Sequence, residues 1–157
     1  MTFGGLFSKW NLTSVRLNVK FAEIEFCPND DDRQAAWELY VELITRITTQ
    51  KLPDTDGDEK TALESIHGLF QITRGILKER GRTAPSFSRI SIIMLNQVVR
   101  PFTAKWHRVL INGDFSSKST CRDFRTDLKE LQGELIDYTK LLAEMAEVED
   151  MTILCDD

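Results

Sequence analysis

STCRDFRTDLKELQGELIDYTKLLAEMAEV, residues 119–148, decides the fold class of this chain. Phe124, Leu128, Leu131, Leu135, Tyr138, Leu142 and Met145 recur in it at steps of three and four, approximating a heptad seam over three heptads. The pattern predicts a long amphipathic helix, capped by Ser119 or Thr120 and reaching about Val148.

Three shorter segments upstream carry stripes of their own. The one nearest the seam begins at Ser86 or Ser88 and places Ile90, Met94, Val98 and Phe102 on one side, continuing past Pro101 toward Val109. Pro101 removes a backbone donor and crowds the carbonyl of Gln97, at ~3 kcal/mol in a regular helix, so a bend is expected there. Such a kink either aims Arg100, Trp106 and His107 at a shared pocket or wraps the helix around its neighbours. A second segment, from about Asp58 to Glu79, sets Leu63, Ile66, Phe70, Thr73 and Leu77 on one face, with Gly81 as its stop. The first helix starts at about Arg33, after the candidate caps Asn29, Asp30, Asp31 and Asp32. Its stripe reads Trp37, Tyr40, Val41, Ile44 and Ile47, before Pro53, Asp54 and Gly57 mark a loop. Four such helices on short to medium loops favour an up-down arrangement with antiparallel neighbours.

The N-terminus follows another period. Val15, Leu17, Val19 and Phe21 alternate with Arg16, Asn18 and Lys20, and the apolar set then switches parity to Ile24 and Phe26, as in a long, bent strand. The expected fold is therefore mainly α: a four-helix antiparallel bundle preceded by an N-terminal β segment. Residues 1–28 form that segment within the same domain, 29–150 the bundle and 151–157 a C-terminal tail, from which Ile153 and Leu154 could dock. A lone strand leaves unpaired N–H and C=O groups. It needs residues 2–10 as a hairpin partner, or else a protein partner or self-association through Leu17, Val19, Phe21 and Ile24.

Composition narrows the function classes. Apolar residues make up 41% and charged residues 29% of 157, enough for a real core, and the formal net charge is −5. That balance argues against the broad basic surface nucleic-acid binding requires, so nucleic acid is an unlikely partner. Cys27, Cys121 and Cys155 are scattered and odd in number, which suggests neither a disulfide framework nor a zinc knuckle and fits a reducing, cytoplasmic compartment. The opening MTFGGLFSKW does not read as a secretory signal, and no apolar run is long enough to cross a membrane.

Two constellations could carry chemistry. Glu64 and His67 form an E-x-x-H pair, the spacing that di-iron bundles use. The other histidine, His107, has Thr103 and Ala104 where a matching acid would sit, so the two remain weak metal candidates beside the plainer reading of a local polar pair. No cofactor is expected, and neither a G-x-S-x-G turn nor a phosphate-binding glycine loop is present. From Arg80 to Gly113 there is no acidic residue, whereas Arg80, Arg82, Arg89, Arg100, Lys105 and Arg108 are basic. Arg89, Asn96, Arg100 and His107, with Lys105 and Trp106 beside them, could hold an anion, a carboxylate-rich peptide or a phosphate. The competing reading pairs this helix with the acids of the long one, Asp123, Asp127, Glu130, Glu134 and Asp137.

The stretches WELYVELITRITTQ (37–50), LFQITRGIL (69–77) and NQVVRPFTAKWHRVL (96–110) resemble a family of small uncharacterised bacterial helical-bundle proteins. The likeness spans about residues 15–148, and its most distinctive element is the R-P-x-x-x-K-W-H run of Arg100, Pro101, Lys105, Trp106 and His107. The resemblance implies an accessory protein of a signalling or anti-phage defence locus and no catalytic residue. The sequence thus leads to a non-enzymatic adaptor or accessory subunit. The alternative is a ligand-binding or metal-binding bundle with a pocket near Arg100 and His107.

Overall fold

The computed structural model describes residues 27–155. Helix α1 (Asp30–Ile44) leads through a loop to α2 (Glu59–Arg80). A long rod follows, made of α3 (Pro85–Ile93), a π-helical segment (Met94–Val99) and α4 (Arg100–Ile111). After a 3-10 turn at Asp114–Ser116, α5 (Lys118–Ala146) runs back along the body, and a second 3-10 turn covers Thr152–Cys155.

Side-chain pairs fix the directions. Arg33 at the start of α1 meets Glu147 just past α5 at 3.1 Å, while Gln132 near the middle of α5 donates to the carbonyls of Ile47 and Gln50 beyond α1. Those two helices are antiparallel. Ser91 reaches Tyr138 and Lys105 reaches Asp127, so the rod also runs antiparallel to α5. The buried seam consists of Phe124, Leu128, Leu131, Leu135, Tyr138, Leu142 and Met145, facing Leu39, Leu43, Leu63, Ile66, Phe87, Ile90 and Met94.

The helix starts depend on carboxylates and hydroxyls. Asn29 Oδ1 accepts from Asp32 N at 2.8 Å, and Asp32 Oδ2 accepts in return from Asn29 N at 3.0 Å, a reciprocal capping box. The second oxygen of Asp32 accepts from Phe87 N at 2.9 Å, in the first turn of α3, whose own N-cap, Ala84, makes no side-chain bond. One fully buried carboxylate therefore satisfies orphan donors at two helix N-termini, where negative charge also complements the dipole. At α2, Asp58 accepts from the Thr61 hydroxyl and the Thr61 amide, and those bonds hold its carboxyl below the usual range.

The structure corrects several expectations. Among the described residues there is no β-strand; the described chain is mainly helical from Asp30 onward, which overturns the fold class of a bundle behind an N-terminal β segment. The apolar faces of the described helices pack on one another, and no sheet edge exists among them to satisfy a strand's backbone groups. Residues 15–26, on which the strand was expected, lie outside the described residues.

On α1 the buried side is Ala35, Ala36, Leu39, Tyr40 and Leu43, whereas Trp37 and Val41 are 40% and 38% exposed. The two alanines, both fully buried, place small side chains at the packed face, and Trp37 is left outside, stacked on Tyr40. Gly81 is right-handed (φ −61°), so it does not end α2 by a left-handed turn. A Cβ there would lie 2.4 Å from the Leu77 carbonyl oxygen, which is what the position excludes. In the tail, Met151 and Thr152 dock instead of Ile153 and Leu154, and the Tyr40 hydroxyl accepts from Met151 N at 3.0 Å.

Pro101 lies in the first turn of α4, directly after the π segment. The Arg100 amide donates to the Leu95 carbonyl, five residues back. This wider turn takes up the ring of a proline whose missing N–H is tolerated at a helix start. It also inserts one residue into the rod, turning everything beyond it by about 100° relative to a regular helix.

Candidate functional site

That rotation separates residues the sequence had placed on one stripe. Arg89 is exposed on α3, eleven residues before Arg100, which is roughly 16 Å along a helical rod. Lys105 and Trp106 turn toward α5. The Lys105 ammonium and the Trp106 indole Nε1–H both donate to Asp127 Oδ2, the latter at 3.1 Å, and Lys105 Nζ lies 4.8 Å from the indole centroid. Trp106 is buried against Phe115 and Phe124. These two residues of the distinctive run therefore hold α4 on α5.

Arg100 and His107 turn the other way, toward α2. Asn96 Oδ1 accepts from Arg100 Nε at 3.3 Å and Nη2 at 3.1 Å, fixing the guanidinium with its Cζ 4.9 Å from the centroid of Phe70. From α2, Arg74 brings its Cζ to 5.4 Å from the same ring. His67 lies 5.6 Å from Phe70 on one side and 4.8 Å from His107 on the other, edge-on to it at 77°. Phe70 thus contacts Arg74, Arg100 and His67, and His67 in turn contacts His107, the other histidine of the chain.

Charge on this face is left open. Among the described residues, neither Arg74 nor Arg100 has a carboxylate within ion-pair distance, whereas Arg33, Arg46, Arg80 and Arg125 all do. After its bonds to Asn96, Arg100 retains both Nη1 protons and one on Nη2. His107 is half-buried, and its pKa is pushed below 6.5 by loss of solvent first and by the charge of His67 second, with the nearby Glu64 carboxylate opposing.

Glu64 and His67 accordingly join His107, but among the described residues no group of three or more His, Cys, Asp or Glu is arranged to hold a metal ion. Neither Arg100 nor His107 borders either of two cavities that lie among the described residues. The cleft between α4 and α5, about 190 Å³, is bordered by Pro101, Lys105, Asp127 and Glu134, and the void beneath Tyr138 and Ser91 measures only about 10 Å³. Burial pushes the Cys121 thiol up and its Sγ donates to the Phe115 carbonyl, the opposite of an activated nucleophile. Leu17, Val19, Phe21 and Ile24 lie outside the described residues.

Sequence reasoning missed Arg74 and the meeting of His67 with the basic rod. A signal was present in the spacing of His67, Phe70 and Arg74, at steps of three and four, which sets all three on one face of α2. No family model, curated protein or solved structure matches the chain.

Proposed function

We propose that the protein is a non-enzymatic interaction module, an adaptor or accessory subunit, that holds an anionic segment of a protein partner on its α2–α4 face. The observation that carries this reading is the convergence of Arg74 and Arg100, from two helices, on the Phe70 ring without a carboxylate to neutralise them. Guanidinium forks over an aromatic ring are preorganised for carboxylate or phosphate oxygens, and the packed ring keeps them from collapsing onto the protein's own surface. A cytoplasmic setting and an accessory role in a bacterial signalling or defence system belong to the same proposal. Unpaired thiols at Cys27 and Cys121 accord with the first, and the resemblance stated above with the second.

The test is fluorescence anisotropy with a labelled hexaglutamate peptide. The reading predicts saturable binding that weakens with salt and falls at least about tenfold when Arg74 and Arg100 are both replaced by Ala, the loss of two charge-assisted contacts. Binding that is absent, or equal in the double variant, contradicts it.

A further inference from the structure

We propose that the ligand group this face is built for is a phosphoryl dianion, the phosphorylated side chain of a protein partner, with His67 and His107 completing the site. The inference rests on the reading above and goes further in naming the group.

Donor count supplies the first argument. Arg100 has three N–H groups left after Asn96, Arg74 has all five, and each imidazole adds at least one. A single carboxylate offers these donors two oxygens and one charge. A phosphate monoester offers three terminal oxygens and up to two charges, which matches donors arriving from two helices. Arg74, Arg100 and His67 each lie against the Phe70 ring before any ligand arrives.

The histidine pair supplies the second. The charges acting on His107 are those of His67 and the single carboxylate Glu64, while Arg74 and Arg100 add positive charge along the same face. With His67 4.8 Å away and solvent partly withdrawn, His107 resists taking up a proton. A dianion placed against them reverses that balance, so docking takes up a proton, and affinity rises as the pH falls toward the ordinary histidine range. A monoanionic carboxylate reverses it less. A single-stranded nucleic acid is disfavoured, because its phosphodiesters are monoanions and Phe70 is buried, leaving no stacking platform.

The experiment uses the full chain and three labelled probes: a phosphoserine peptide with neutral flanks, the same peptide with Glu in place of phosphoserine, and a short oligoribonucleotide. The phosphopeptide is expected to bind at least about tenfold tighter than its Glu counterpart near pH 7, a margin of the size charge-assisted contacts give. Replacing His67 and His107 by Gln should narrow that margin, the phosphopeptide losing more affinity than its Glu counterpart. Inorganic sulfate, a dianion throughout, separates protein from ligand titration: its affinity should rise between about pH 7.5 and pH 6 in the native protein and stay flat in the double Gln variant. Equal affinity for the two peptides, tighter binding of the oligoribonucleotide, or a sulfate affinity indifferent to pH overturns the inference while the interaction reading stands. Failure to bind both peptides overturns the inference, and failure to bind hexaglutamate as well overturns the interaction reading.

Discussion

The two sides of α4 use basic residues in opposite ways. Toward α5, Lys105 and Trp106 share Asp127, and the indole is packed against Phe115 and Phe124. Toward α2, Arg100 and His107 meet Arg74 and His67, with Glu64 as the nearby acid. Charge on the first side is consumed in joining helices; charge on the second remains available. Formal charge along the segment cannot separate the two roles. The phase of the helix can.

The comparison breaks most visibly at Trp106. Trp106→Ala should cost about 3–5 kcal/mol in urea unfolding, as for other large buried side chains, while the folded fraction still binds an acidic peptide. A loss below ~1 kcal/mol would mean the α5 side is not the structural one. Asp127→Ala should cost about 1–3 kcal/mol, because it strands the indole N–H and removes the acceptor of Lys105. Arg74→Ala combined with Arg100→Ala should cost no more than about 2 kcal/mol, the worth of two cation–π contacts, yet remove anion binding; a larger stability loss would make these residues structural as well.

The smallest effect is in pH dependence. His107 titrates lower in the folded protein than its ordinary 6.5, so the unfolded chain binds more protons within that window. Its contribution to stability is therefore present above pH 6.5 and is lost as the pH falls from there through the folded value. His107→Gln should flatten the acid limb of a thermal-melt series over that window. An unchanged limb would place His107 in solvent rather than against His67.

Much of the helical pattern was legible because burial and periodicity coincide. Phe124, Leu128, Leu131, Leu135, Tyr138, Leu142 and Met145 form one side of α5 in the sequence and in the core. The rod was harder to read. Ile90, Met94, Val98, Phe102 and Trp106 are all buried at strict steps of four. In a regular helix each such step drifts by about 40°, about 160° over the four steps, so the five residues cannot share one narrow face. The π segment reduces the drift, and the unbroken step of four ahead of and beyond Pro101 is its trace in the sequence. Counting at 3.6 residues per turn placed Arg89 with Arg100 for that reason.

The cross-helix half of the site was less accessible. Arg74 and His67 belong to α2, and only the packing of α2 on α4 brings them to Arg100 and His107. The alternation at residues 15–21 shows the converse limit. A period of two is a local property, while a strand requires a partner edge, and the described helices offer none.

The most direct measurement is a proton–nitrogen correlation spectrum of the full chain titrated with the phosphoserine peptide. Shifts are predicted in the amides of Phe70, Arg74, Asn96, Arg100 and His107, with the Trp106 indole N–H, bonded to Asp127, unmoved. If the indole resonance moves while the amides around Phe70 and Arg74 stay fixed, the ligand sits on the α5 side and the account is wrong.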